Sequence, residues 1–277
     1  MASVQELLRS ARDLPGDSPV RDAEILLCYS IDKPRSWLYT WPEAEVPAGS
    51  LARYQSLLER RRAGEPVAYL TGSREFWSLD LAVAPSTLIP RPETETLVEW
   101  ALELELPENT AAVDLGTGTG AIALALAREN PGWQVQGLDI SEDAVALASG
   151  NAERNQLQRV NFQQSDWFAV LAGQRFNLIV SNPPYIEKTD PHLSLGDVRF
   201  EPRSALVAEE EGLADLAHLV DSAPDYLHAG GWLLLEHGFE QGAAVRDLMQ
   251  SRGFKQVQTR CDLGGRDRIS GGQWRAQ

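Results

Sequence analysis

Val113-Asp114-Leu115-Gly116-Thr117-Gly118-Thr119-Gly120 follows an apolar run that begins at Ala111 and precedes Ala121 to Ala127, a stretch of strong helix formers. That order reads strand, glycine turn, helix. Glycines at alternate positions let the backbone turn sharply and let a ligand lie against main chain with no Cβ in the way. Gly116, Gly118 and Ala121 also satisfy the G-x-G-x-x-G/A pattern of dinucleotide binders. Taken alone, the loop therefore leaves an NAD-binding oxidoreductase open. Nineteen residues beyond Gly120, Val135-Gln136-Gly137-Leu138 ends in Asp139 at the tip of a second predicted strand. A carboxylate there can accept both hydroxyls of a ribose.

Outward from this unit the pattern repeats. Strands are expected near 111–115, 134–139, 159–164, 175–181, 231–236, 255–261 and 267–270, with helices near 120–129, 141–153, 212–228 and 239–251. This predicts an α/β fold, a doubly wound, mostly parallel seven-stranded sheet, with ligands at the carboxyl ends of the strands where the order reverses. Residues 1–72 read as a small helical domain. Ser18-Pro19 is a helix start, Val20, Ala23, Leu26 and Leu27 share a face, and Leu51, Tyr54, Leu57, Leu58 and Arg61 repeat the spacing up to a stop at Gly64. Trp37, Tyr39 and Trp41 are expected to pack in a core or between domains, with partner binding the other reading. From Phe76 the period becomes two, with Leu79, Leu81 and Val83 on one side, so 73–92 reads as a hairpin or extended linker before a domain at 93–277.

The apolar run Phe176 to Val180 ends in Asn182-Pro183-Pro184-Tyr185. Two successive prolines have no N–H and fix φ, so the turn is stiff and its carbonyls lack local donors. Those carbonyls and the Asn182 amide oxygen can face a planar NH2 group, and the Tyr185 ring can cover its face. A hydride-transfer enzyme has no evident use for such an amine clamp.

Glycine loop, acidic strand tip and Asn-Pro-Pro-Tyr together resemble the class I S-adenosylmethionine-dependent methyltransferases with an amino-nitrogen acceptor. DNA adenine N6-methyltransferases and protein glutamine N5-methyltransferases share that turn. Tyr69-Leu70-Thr71-Gly72, Phe76 and Leu88-Ile89-Pro90-Arg91-Pro92-Glu93-Thr94-Glu95 look like the segment preceding the catalytic domain in the bacterial peptide chain release factor glutamine N5-methyltransferases, and this resemblance covers nearly the whole chain. It implies S-adenosyl-L-methionine as methyl donor and class 1 release factors as partners. The acceptor it implies is the glutamine of their Gly-Gly-Gln loop.

The resemblance also implies roles. Gly116, Thr117, Gly118, Thr119 and Gly120 would shape the cofactor loop, Asp139 would hold the ribose, and Asp166-Trp167 the adenine, with Trp167 stacking. Asp114 would order the loop or meet the cofactor's amino group, or be purely structural. Asn182 Oδ1 and the Pro183 carbonyl would accept the two substrate N–H bonds, and Asn182 also borders the cofactor. Pro184, Tyr185 and Phe76 would line the glutamine slot. Glu236 would face the cleft or support it. Arg91, Glu93 and Glu95 suggest an ordered loop over the cleft or an exposed helix start, and Ile186 to Leu206 a substrate loop.

Composition agrees without deciding. The net charge of −15 and the absence of a long basic run argue against direct DNA binding, which rests on phosphate neutralisation. Cys28 and Cys261 lack metal or redox spacing, and four scattered histidines form no zinc pattern. No apolar stretch approaches the roughly 20 residues of a bilayer span, and no leader opens the chain. A cytoplasmic protein is expected. A noncatalytic cofactor-binding adaptor is the third reading. Gly271-Gly272-Gln273 repeats the proposed acceptor tripeptide, by chance on this reading.

Overall fold

Apolar residues three and four apart organise the first part of the chain into short helices: α1 (Val4–Ser10), α2 (Pro19–Ile31), α3 (Arg35–Thr40), α4 (Ala48–Arg62) and α5 (Val67–Thr71). The structure, a computed structural model, describes residues 2–16 and 18–275. A reciprocal cap opens α1, with Ser3 Oγ accepting from the Glu6 N–H and the Glu6 carboxylate accepting from the Ser3 N–H. Pro19 sits in the first turn of α2 as expected, but the Ser18 side chain makes no capping bond. Ala23, Leu26, Leu27, Tyr54, Leu57 and Leu58 form the core of this unit. Val20, expected on the same face, is 49% exposed. Trp37 packs against the core while Tyr39 and Trp41 stand out in solvent, which overturns the core reading for those two.

A polar anchor completes the helical unit. Buried Arg61 donates to Asp22 Oδ2 at 2.8 Å, to Asp197 Oδ1 at 2.8 Å and to the Pro15 carbonyl at 3.1 Å. A guanidinium is tolerated inside when its donors are satisfied this way. Asp197 lies far along the chain, and Pro191–Phe200 clusters compactly with Met1–Ser73 rather than with its sequence neighbours. The expectation of one continuous domain over 93–277 missed this excursion.

Arg74–Asp190 and Glu201–Gln277 form the second unit. Its chain order begins with the hairpin β1 (Ser73–Phe76) and β2 (Leu79–Ala82), then α6 (Glu95–Glu103), β3 (Ala111–Leu115), α7 (Ala121–Glu129), β4 (Gln134–Asp139), α8 (Glu142–Arg154), β5 (Asn161–Gln164) and β6 (Phe176–Ser181). It continues through β7 (Ile186–Glu187), β8 (Val207–Ala208), α9 (Glu209–Gly212), α10 (Ala214–Ser222), β9 (Leu227–Glu236), α11 (Gly242–Arg252), β10 (Lys255–Cys261) and β11 (Asp267–Gln273). The seven-stranded sheet runs β10-β11-β9-β6-β3-β4-β5. Only β11 is antiparallel to its neighbours. The segment after Tyr185, read as a loop, is pinched at its base by the parallel pair β7 and β8.

Period two in the strands assigns the two faces. Ala112, Leu178 and Leu234 meet Trp100 of α6 and the wholly apolar start of α7 on one side. Val113, Ile179, Leu233 and Leu235 meet Leu216, Leu219, Val245 and Met249 of α10 and α11 on the other. Ala121 to Ala127 are all buried, so α7 is covered all round, not merely amphipathic. Gly271 and Gly272 lie within β11 opposite Leu234 and Leu233. A Cβ at Gly271 would come within 2.4 Å of Leu234 and 2.8 Å of Trp100. The tail tripeptide is thus strand interior, selected for close packing.

Candidate active site

The chain leaves β3 toward β4 and β5, then returns on the other side of β3 to form β6. The carboxyl ends of β3 and β6 are therefore the point where the sheet order reverses, the usual place for a ligand crevice. A cavity of about 320 Å³ opens there. Its wall takes Gly116 to Thr119 after β3, Leu138 to Ser141 around the end of β4, Ser165 to Trp167 after β5, and Asn182 and Pro184 after β6. Phe76, Leu88, Pro90, Arg91 and Thr94 come from the segment before β3, and Ser204, Ala205 and Asp215 close another side.

The glycine loop is held from below. Asp114 Oδ2 accepts from Thr117 Oγ1 at 2.6 Å and from the Ala123 N–H at 3.3 Å, tying the turn to the helix it starts. Burial pushes the Asp114 carboxyl up to about 7, and it does not reach the cavity wall, so its place is structural. Gly120 is also off the wall: it caps α7 in the left-handed region, buried against Phe162 and Ala148. Gly116 is the position where glycine matters to the site. Its φ is +71°, and a Cβ there would touch the Trp167 ring at 3.5 Å. Trp167 itself has φ +44°, a conformation that non-glycine residues adopt where surrounding structure enforces it.

Asp139 stands at the tip of β4, with Oδ2 accepting from the Gly118 N–H and Oδ1 from the Ser141 N–H, both at 2.9 Å. A carboxylate offers about four acceptor positions, so acceptor capacity remains. Burial raises its pKa, while the Ser141, Gly118 and Ile140 amides pull it down. Ile140 beside it is 64% exposed on the cavity rim. Sequence reading missed Ile140; an apolar residue directly after a strand-tip acid was the available signal.

Asn182 follows β6 on the wall. Its Nδ2 donates to Thr94 Oγ1 at 3.3 Å, and its Oδ1 is buried with no partner. Orphaned buried acceptors are rare and call for an explanation. Pro183 and Tyr185, expected to face the substrate slot, do not contribute to the wall. Pro183 is buried, and the Tyr185 ring packs against the core under α10 and α11, its hydroxyl donating to Glu236 Oε1 at 3.2 Å. Burial raises the Tyr185 phenol strongly. The same cause lifts Glu236, at the end of β9, to about 7 against the pull of Thr94, Arg268 and Tyr185. Glu236 supports the cleft from beneath. Its Oε2 is buried without a hydrogen-bond partner.

The Arg-Pro-Glu-Thr-Glu run resolves into separate tasks. Arg91 Nη2 donates to both oxygens of fully buried Glu201, at 2.8 and 2.7 Å, fixing the chain where it re-enters the second unit. Thr94 meets Asn182, and Glu95 accepts from the Trp77 N–H at 2.9 Å, bracing the β1–β2 turn in which Trp77 and Ser78 both have positive φ. Glu93 is exposed. Phe76 is buried and contributes to the cavity wall. Among the described residues no group of three or more His, Cys, Asp or Glu could hold a metal, and no helix is long and apolar enough to cross a membrane.

The Gly116 cradle beneath Trp167, the spare acceptors of Asp139, the apolar Ile140 rim and the orphaned Asn182 oxygen fit an extended nucleoside-bearing ligand with a polar group beside it. Two family models match, the Methyltransferase small domain over residues 94–202 and the PrmC N-terminal domain over residues 3–72. A release factor glutamine methyltransferase of Pseudomonas aeruginosa is 54% identical over 275 residues, with 99% of each chain covered. Its counterpart in Aliivibrio fischeri is 53% identical over 277 residues, with 98% of each covered. That of Escherichia coli K12 is 50% identical over 259 residues, with 93% of each covered. Among solved structures, a methyltransferase from Pyrococcus furiosus aligns with TM-score 0.55 at 18% identity, over 81% of this chain and all (100%) of its own. The hMettl16 catalytic domain, in complex with a MAT2A 3'UTR hairpin, aligns with TM-score 0.59 at 16% identity, over 76% of this chain and 81% of its own. These two likenesses establish the fold alone.

Proposed function

The chain belongs to the release factor glutamine methyltransferase family, and from that premise we propose that it methylates the side-chain amide nitrogen, N5, of the glutamine in the Gly-Gly-Gln motif of class 1 release factors. S-adenosyl-L-methionine, when bound, supplies an electrophilic methyl group on sulfur. Gly116, Thr117, Gly118 and Thr119 would cradle it, Asp139 would accept from its ribose, and Ile140 and Trp167 would bracket its base. The work is that of a cytoplasmic translation enzyme.

The observation that carries the reading is the buried, unpartnered Asn182 Oδ1 on the cavity wall. An amide nitrogen is a poor nucleophile because its lone pair is delocalised into the carbonyl. Asn182 Oδ1 would accept one of its N–H bonds, orienting the nitrogen toward the methyl group and favouring lone-pair localisation, while Pro183, off the cavity wall, would stiffen the turn that presents Asn182. Pre-positioning of this type supplies up to roughly 7–11 kcal/mol of a barrier. On accepting the methyl group the nitrogen would become cationic, and one of the two protons it already carries would become acidic enough to leave to water, so no general base is assigned. Phe76 and Pro184 would flank the slot, and Tyr185 supports the turn from beneath.

Incubation with labelled S-adenosylmethionine and either an unmodified release factor or a DNA duplex tests this. Label on the release factor, lost when its Gly-Gly-Gln glutamine is replaced, is expected. Label on DNA adenine would overturn the assignment in favour of the sister subgroup.

A further inference from the structure

We propose that Gln241 is a positioning residue for methyl transfer: its side chain holds the Tyr185 carbonyl, and with it the exit of the Asn-Pro-Pro-Tyr turn that carries Asn182. This rests on the functional reading above. The two prolines have no N–H to donate, so the turn is placed from its ends. At its entry Ser181 Oγ donates to the Leu115 carbonyl at 2.6 Å, tying β6 to β3. At its exit Gln241 Nε2 donates to the Tyr185 carbonyl at 3.1 Å and to the Glu211 carbonyl at 3.3 Å, while Gln241 Oε1 accepts from the Gly238 N–H at 2.8 Å. Those partners fix which way round the amide sits, since the reverse would set its oxygen against two carbonyl oxygens.

Gln241 stands at the head of α11, where a side chain commonly caps its own helix, yet it makes no capping bond. Its amide is directed at the turn instead. Against the same carbonyl runs an arch formed by Glu210, Glu211 and Gly212, with φ of 54°, 58° and 82°. Consecutive left-handed residues, two of them not glycine, persist where the surrounding structure enforces them. The arch passes so close to the turn that a Cβ at Gly212 would lie 2.2 Å from the Tyr185 carbonyl oxygen and 2.9 Å from Gln241 Nε2. The Tyr185 carbonyl is thus held between Gln241 and Gly212, directly after Pro184, which shares the cavity wall with Asn182. A misplacement of about 1 Å at a reacting centre can cost about 10²-fold in rate, so a turn released at its exit need move little to lose the reaction geometry.

Single-turnover methylation of a Gly-Gly-Gln peptide over a range of peptide concentrations, at saturating S-adenosylmethionine, tests this. Gln241→Glu keeps the acceptor for the Gly238 N–H, and its charge is favoured at the start of α11, but it has no donor for the Tyr185 carbonyl. It should be at least about 10-fold slower than wild type at saturating peptide, with S-adenosylhomocysteine affinity and Tm near wild type. Gln241→Met removes both bonds and should be at least as slow; if Gln241→Glu does not fold, Gln241→Met decides alone. Gly212→Ala crowds the same carbonyl and should also slow the step. Its loss combined with that of Gln241→Met should fall short of additivity, because the two changes act through one atom. A rate within about 3-fold of wild type for either Gln241 variant, a loss confined to the peptide concentration needed for half-maximal rate, or fully additive losses overturns the proposal. A wild-type protein that methylates no Gly-Gly-Gln peptide overturns the functional reading itself.

Discussion

Replacing Asn182 by alanine separates chemistry from architecture. In the free protein Asn182 Oδ1 is buried without a partner, and the side chain makes one bond, to Thr94 at 3.3 Å. An unsatisfied buried polar group costs about 1–3 kcal/mol, and a neutral hydrogen bond contributes about 1 kcal/mol. Truncation removes both, so folding stability should be unchanged or rise by up to about 2 kcal/mol. The rate should not be spared. Loss of one preorganised hydrogen-bonding group at a reacting centre lowers turnover by about 10²–10³, or ~2.7–4 kcal/mol. Asn182→Asp should be equally slow: it keeps the size, but its charge beside a sulfonium stabilises the ground state more than the charge-dispersed transition state. Single-turnover kinetics at saturating cofactor, with a thermal melt of each variant, measures both quantities. Near-normal rates for Asn182→Ala would refute the clamp. A melt lowered by several kcal/mol would show instead that the side chain serves the fold.

Asp139→Ala should weaken S-adenosylhomocysteine binding by about 1.5–3 kcal/mol or more, read by calorimetric titration, because the same carboxylate also holds the Gly118 and Ser141 amides; an unchanged Kd would remove it from the site. Glu236 is raised by burial from 4.5 to about 7, so the folded protein keeps a proton the unfolded chain releases, and stability falls as pH rises through that window. Glu236→Gln should therefore melt several degrees above wild type at pH 8, by about 3 kcal/mol, with the gap narrowing toward pH 5; a pH-independent gap would contradict this. Arg61→Met leaves Asp22 and Asp197 without their shared cation and should destabilise the helical unit by about 3 kcal/mol. Limited proteolysis should then cut first within 191–200, and an unaltered cleavage pattern would count against the anchor.

Much of the fold could be read because the sheet's residues state their own period. Leu233, Leu234 and Leu235 alternate faces, and the Gly116 turn needs conformations only glycine adopts easily, so strand and loop positions show in the sequence alone. The start of β9 was placed too late: Leu227 pairs with Phe176, but the ladder then shifts register before Leu178 meets Trp232. Such an irregularity has no residue code. The roles of Arg91, Thr94 and Glu95 were illegible for a different reason. Each depends on a partner distant in sequence, Glu201, Asn182 and Trp77, and pairing across long loops leaves no periodicity. Tyr185 misled because an aromatic beside a polar turn suggests a lid; its burial depends on α10 and α11, which the local sequence does not reveal.

Tandem mass spectrometry of a release factor after incubation with the protein and S-adenosylmethionine tests the central claim most directly. The account predicts one added methyl group on the side-chain nitrogen of the Gly-Gly-Gln glutamine with the wild-type chain, and none with Asn182→Ala at the same cofactor occupancy. A methyl group on any other residue, or equal modification by both proteins, would contradict it.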